Sequence, residues 1–410
     1  SDYIFACTTA IGYNKIDIYL RRPQMNLFLI FSTSFIIQLI ISMEMNVVGP
    51  LAPYLATYFN IPSSIVIMLN IGFSLVGFII PIFGAWADKH GKKKYIIISL
   101  ISFIFGTIIS GFSKNSLVFA IGRTFSGMGY FSLNASIISY ISDFIPYEKR
   151  GKASGVLRIA FALAMILSPL YSTFMTQKFN NLWSIYIPLS LVGLVGLIAL
   201  TKFPESNKVE NKNLNIKSIT GILADKTSLK LLVAEFLILT APYLMFSYLG
   251  IWLKSIFNLE QLKIGYIYTV AALGTVSGVT ISTFFTDKIG KEKFSKIFFS
   301  IMILSLIPLP YVKSVHGVMP IVFLFSFGLD GAFSAFQTLC SEVCPKQRTT
   351  FMTLFFFTNS LTITIFTLLG PLIYNLGGFK LTINLALLFA IVGLAVFSNA
   401  TKGKKLLRNS

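Results

Sequence analysis

Long apolar runs separated by short polar, mostly basic connections occupy nearly the whole chain. A helix needs about 20 apolar residues to cross a bilayer core. Runs that meet this length lie at 26–58, 64–87, 95–111, 116–142, 153–175 and 182–200. After a polar break come 229–253, 264–286, 294–312, 318–341, 351–374 and 381–399. The pattern predicts an all-α membrane protein of twelve transmembrane helices in two bundles of six. Residues 96–109 are apolar on every side rather than alternating, which excludes a β-barrel strand and suits a helix that satisfies its own backbone in lipid.

Composition agrees. The 410 residues are 55% hydrophobic and 12% charged, against about 25% charged in soluble domains. Mean hydropathy is +0.77. A soluble enzyme, a nucleic-acid binder and a disordered scaffold are all poor fits. The net charge of +19 reflects basic loops rather than a nucleic-acid surface. With the N-terminus inside, 26 of the 34 Lys and Arg fall in inner connections. Six (Lys114, Lys178, Lys254, Lys263, Lys313 and Lys380) fall outside, and Arg123 and Arg158 lie within helices. That asymmetry predicts a multi-pass inner-membrane protein with both termini cytoplasmic. Residues 1–25 then read as a cytoplasmic lead-in, 26–200 as the N-terminal bundle and 201–228 as a linker loop. Residues 229–400 form the C-terminal bundle, followed by a basic tail at 401–410.

Enzyme chemistry has little to work with. Cys7, Cys340 and Cys344 have no histidine nearby, and His90 and His316 stand near loops, so no metal site or cofactor is expected. Nucleotide-binding and nucleophile-elbow signatures do not occur, which points to an ion gradient as the energy source.

The two halves echo each other at an offset of 199. Gly84-x-x-x-Asp88-Lys89-x-Gly91-Lys92 follows the second run, and Asp287-Lys288-Ile289-Gly290-Lys291 follows the eighth. Asp143 and Pro146 correspond to Glu342 and Pro345. Parallel repeats about an axis along the membrane normal are a transporter architecture. The segment from Gly84 to Lys93 resembles the loop between helices two and three of the major facilitator superfamily. The resemblance implies a twelve-helix transporter of small molecules, and a conformational latch around Gly84, Asp88, Lys89, Gly91 and Lys92. Asp143, Arg150, Asp287 and Glu342 are its expected counterparts at other inner helix ends. Plain positive-inside anchoring is the alternative role for the lysines.

Gly122-Arg123-Thr-Phe-Ser-Gly127-Met-Gly129 resembles the fourth-helix signature of the superfamily's drug:proton antiporters. An Arg inside a span either snorkels or faces a wet cavity with a partner. Pro50-x-x-Pro53 resembles the same antiporters' first-helix motif. The fifth helix departs from them: Ser168-Pro169-Leu-Tyr-Ser172-Thr173 carries hydroxyl residues where they have glycines.

Acids inside spans are functional candidates by default. Asp330, roughly 18 Å into the tenth run at 1.5 Å per residue, resembles a proton-coupling Asp of multidrug exporters. Glu44 and Glu235 complete the proton-coupling set, Glu235 being placed near the inner interface with Arg158 as one conceivable partner. Arg123, Asn46, Asn134, Tyr243, Tyr248, Gln337 and Asn359 are the expected cavity residues. The leading reading is a monomeric, proton-coupled exporter of small amphipathic or cationic compounds, working by alternating access. The alternatives are a proton-coupled carrier of one metabolite (a sugar, amino acid, nucleoside, siderophore or lipid) and, more remotely, a non-transporting membrane sensor.

Overall fold

The computed structural model describes residues 27–79, 91–142, 150–205, 216–343 and 348–402. Helices account for the regular structure among them, with no strand. They are α1 (Leu27–Met45), α2 (Val48–Tyr58), α3 (Ser63–Ile79, opening as a 3₁₀ helix), α4 (Lys92–Phe112), α5 (Ser116–Ser142), α6 (Arg150–Phe179) and α7 (Trp183–Thr201). A short α8 (Ile216–Ala224) in the central connection precedes α9 (Lys226–Phe257), α10 (Gln261–Ile289), α11 (Lys291–Leu306), α12 (Val315–Val343) and α13 (Arg348–Thr401).

Nine helices among the described residues are long and apolar enough to cross a membrane. Three causes separate this number from the twelve predicted runs. α13 covers two of them, broken at Gly377 and Gly378, where φ +61 and ψ −157 at Gly378 are open only to glycine. The second run continues into residues outside those described. α5 carries Arg123 and several hydroxyl residues, which lower its hydropathy, although its 27 residues span about 40 Å.

The first run is also two helices rather than one. α1 ends at Met45 and α2 starts at Val48. Pro50 explains the break, because its ring clashes with the carbonyl four residues back, that of Asn46. The turn is closed by tighter i→i−3 bonds, Asn46 N to Met43 O at 3.2 Å and Val47 N to Glu44 O at 3.3 Å.

Each half packs chiefly on itself. In the first, α4 lies against α5 and α7, and α1 against α6 and α7. In the second, α9 lies against α13, and α12 against α10 and α11. The halves meet where α6 faces α10, α2 faces α9 and α3 faces α13. The repeat is visible in the backbone. Gly91 and Gly290, 199 residues apart, cap α4 and α11 with φ of +104 and +92. A Cβ on Gly129 would come within 2.8 Å of the Phe103 Cα, and one on Gly328 within 2.6 Å of the Met302 N. Both members of that second contact are again displaced by 199. Small residues at equivalent positions let equivalent helices touch.

At the end of the molecule bearing the lysine clusters, basic side chains cap helix C-termini. Lys93 Nζ donates to Thr201 O at 3.2 Å at the end of α7 and to Phe203 O at 2.6 Å just beyond it, and Lys92 Nζ to Ser139 O of α5 at 3.3 Å. Cations there satisfy orphan carbonyls and the helix dipole together. In the second half Lys291 pairs with Glu342 across 2.5 Å, tying α11 to α12. Asp287 is exposed on the last turn of α10. Gly84, Asp88, Lys89 and Asp143 lie outside the described residues, as does the side chain of Arg150.

Candidate functional site

A cavity of about 350 Å³ lies between the halves. Its wall is mainly apolar and draws on α2, α3, α5 and α6 from one half and α9, α10, α12 and α13 from the other. Three helix-distorting prolines line it, Pro50, Pro169 and Pro242. Irregular backbone at membrane depth is tolerable where it is buried in protein or lines a polar cavity.

Arg123 reaches this wall because α5 is pressed into its neighbours by the glycines of its own motif. A Cβ on Gly122 would stand 2.7 Å from Ser110 N, and one on Gly127 2.9 Å from the Phe73 Cα. The guanidinium is 1% exposed and pairs with the carboxylate of Glu44, itself fully buried. Nη1 also donates to the Glu44 carbonyl at 3.1 Å, and Nε to Asn70 Oδ1 at 2.9 Å. The Phe73 ring lies 4.6 Å from the guanidinium carbon, a cation–π contact. The break in the first span and the buried Arg are thus one feature. The peptide groups around the break find partners in Arg123 and in Ser168, whose Oγ donates to Met43 O at 2.6 Å. Snorkelling is excluded for this Arg.

On the opposite wall, Asp330 accepts from Thr275 Oγ1 at 2.6 Å. The glycines of α10 bring them together. A Cβ on Gly274 or Gly278 would come within 2.3 Å of the carbonyl of Phe323 or Phe327 on α12. No side chain fits at either position, so the two backbones sit in direct contact.

Of the expected residues, Arg123, Asn46, Tyr243, Asn359 and Asp330 line the cavity. Asn46 Nδ2 is held by Ser42 O at 2.8 Å, and Tyr243 OH is hydrogen-bonded to Thr367. Others are placed differently. Glu44 stands behind Arg123 rather than on the wall, because the guanidinium needs its charge. Tyr248 is fully buried at the seam between the halves, stacked on Tyr374 at 4.6 Å with its OH donating to Ser64 O at 3.1 Å. Asn134 and Gln337 lie beyond the wall, eleven residues past Arg123 and seven past Asp330 on α5 and α12. Glu235 is further along its helix than the apolar run alone implied. α9 begins at Lys226, where the Asp225 carboxylate caps Ser228 N at 2.8 Å, so Glu235 is about 14 Å along the helix. It is fully buried, and neither carboxylate oxygen has a hydrogen-bond partner among the described residues. Arg158 is exposed and is not that partner. Asn70, Phe73, Ser168, Tyr268 and Thr275 are site residues that sequence reasoning missed.

At the end of the cavity away from the lysine clusters, the halves are joined by hydrogen bonds. Gln261 Nε2 donates to Pro50 O at 2.7 Å, and Leu262 N to Gln177 Oε1 at 2.9 Å. The Tyr248–Ser64 bond lies in the same seam.

The family model of the Major Facilitator Superfamily matches residues 34–367. The chain belongs to that superfamily. It is 25% identical over 375 residues, 88% of this chain and 90% of the relative, to an uncharacterized MFS-type transporter, YwfA, of Bacillus subtilis (strain 168). A shorter match, 30% identical over 126 residues, covers 31% of this chain and 25% of Multidrug resistance protein 3 from the same organism. In fold it resembles a D-xylose-proton symporter, with a TM-score of 0.71, 15% identity and coverage of 92% of this chain and 97% of that one. The protein is therefore a multi-pass membrane transporter rather than an enzyme.

Proposed function

We propose that this transporter is a proton-driven antiporter that exports small amphipathic cations. The observation that carries the reading is the charge balance of the cavity. Its wall is mostly apolar with several aromatic side chains, the positive charge of Arg123 is matched by Glu44, and the carboxylate of Asp330 faces the cavity with no cation beside it among the described residues. A site with one unmatched acid accepts either a proton or one organic cation, and binding of either removes the other. That competition couples the two fluxes without any covalent step. The aromatic faces of Phe73, Phe246 and Tyr268 suit a hydrophobic cation. The local match to a multidrug resistance protein supports the same reading, whereas the sugar symporter shares the fold alone.

The accompanying topology is twelve spans in bundles at 26–200 and 229–400, joined by a cytoplasmic linker, with both termini cytoplasmic in the cell membrane of a monomer. The seam through Pro50, Gln177 and Gln261 then closes the outer side. Asp88 and its loop act as a latch on the inner side, with Gly84, Lys89 and Gly91 shaping it. The two halves rock about the cavity to give alternating access.

The test is flux of tetraphenylphosphonium in proteoliposomes of purified protein under an imposed pH difference. Accumulation that follows the proton gradient and vanishes with an uncoupler is expected. Saturable transport of a single neutral metabolite, with no movement of the cation, would overturn the proposal in favour of a dedicated metabolite carrier.

A further inference from the structure

Arg123 and Asp330 meet the cavity from different halves, and each has only part of its hydrogen-bonding capacity committed. In Arg123, Nε is used by Asn70 and Nη1 by Glu44. Among the described residues no protein group accepts from Nη2. In Asp330, Oδ2 accepts from Thr275 and Oδ1 accepts from no described group. Arg123 and Asp330 therefore present one donor edge and one acceptor atom to whatever occupies the cavity, on opposite walls.

The two ends differ in charge. Glu44 neutralises the guanidinium, so Nη2 offers a directed hydrogen bond with no need for a counter-anion. Asp330 carries a charge that no described cation matches. An anion at Arg123 would add negative charge to a wall that already holds Glu44, and would face Asp330 across the cavity. A neutral oxygen suffers neither penalty. Lysine would not serve in this place, because a compact ammonium lacks the planar fork that lets one nitrogen grip Glu44 while another points elsewhere. Asn70 and the Phe73 ring fix the plane of that fork.

We infer that the cavity selects monocations that carry a neutral hydrogen-bond acceptor, such as an amide, ester or ether oxygen, at the end remote from the ammonium. Nη2 of Arg123 reads that acceptor, and Asp330 holds the ammonium. Asn70 is a positioning residue that sets the direction of the donor edge. A ligand without the acceptor leaves Nη2 to water or to nothing, and sites built to hydrogen-bond a polar group discriminate against analogues that lack it.

This inference rests on the cation reading above, and the experiment separates the two. The probes are a matched pair of dimethylaminoethyl-naphthalenes, one with a carboxamide on the distal ring and one with a methyl group there. Half-saturation of pH-driven transport is measured for both in proteoliposomes. For the wild-type protein the carboxamide probe should saturate at roughly tenfold lower concentration. In Arg123→Lys the ratio between the probes should fall to about one, whatever the absolute activity. Should that variant fail to reach the membrane, the paired Glu44→Met and Arg123→Met substitution removes both charges together, which buried pairs tolerate better than loss of one partner. It should show the same collapse. If the wild-type protein moves neither probe, the cation reading falls. If it moves both at equal half-saturation, or if the tenfold preference survives in the variants, acceptor reading by Arg123 is wrong while the cation site stands.

Discussion

Replacing Glu44 by Gln removes one charge while keeping the shape of the side chain and an oxygen for Arg123. The pair is fully buried and only Arg123 touches the cavity, so the variant converts a neutral wall into a positive one. The magnitude follows from Coulomb's law. At a separation on the order of 10 Å and an effective dielectric of about 20, one added unit charge repels a bound monocation by about 1.7 kcal/mol, roughly a 15-fold loss of affinity. An uncharged amphipath feels none of this. The assay is equilibrium binding of radiolabelled tetraphenylphosphonium and of a neutral probe to protein in detergent. Glu44→Gln should weaken the cation by about 15-fold and the neutral probe by less than about twofold. Adding Arg123→Gln should restore cation affinity, since the uncompensated charge is then gone. Equal losses for both probes would show that Glu44 acts through structure alone. A cation loss that the second substitution does not repair would refute the charge-balance argument.

Other consequences follow from packing and from the seam. Glu235→Met replaces a fully buried carboxyl that has no hydrogen-bond partner among the described residues and should stabilise the protein by about 1–3 kcal/mol, read as a raised Tm in detergent; an unchanged or lowered Tm would mean that Glu235 has a partner in another conformation. Gly129→Leu forces a side chain against the Phe103 backbone and should cost about 1–3 kcal/mol, with the equivalent Gly328→Leu costing a similar amount if the two halves are packed alike. Gln261→Ala deletes the bond to Pro50 O, about 0.5–1.5 kcal/mol, and should shift the population several-fold toward the state open on that side. Spin-label distances between α2 and α10 would lengthen in that case, and an unchanged distribution would remove Gln261 from the gate.

The apolar runs and the 199-residue echo were readable because span length and loop charge are one-dimensional properties. So were Asp330 and Arg123, since a charge inside an apolar run is conspicuous. Which residue meets which was not readable. Arg123 and Glu44 are 79 residues apart, Phe73 is one of many apolar residues in its 3₁₀-to-α segment, and Asn70, although polar in an apolar run, carries no sign of which helix it faces. In helices that are apolar on all sides, periodicity cannot say which face is inward. Tyr248 illustrates this, being placed by sequence in the cavity and by structure in the seam. The start of α9 differed for another reason. The cap at Asp225 extends α9 by three polar-flanked residues that hydropathy had assigned to the linker. The Asp225-x-x-Ser228 spacing was a usable cap signal.

The central claim is that one carboxylate, Asp330, takes either the proton or the cation. Asp330→Asn holds that position permanently neutral, and it should be compared with the wild type in proteoliposomes by two measurements on the same preparation. One is exchange of labelled for unlabelled substrate with no gradient. The other is accumulation under an imposed pH difference. The account predicts that the variant loses gradient-driven accumulation while a neutral or weakly basic substrate still exchanges at a measurable rate. Undiminished accumulation by Asp330→Asn would contradict it and would shift the coupling role to Glu44 or Glu235.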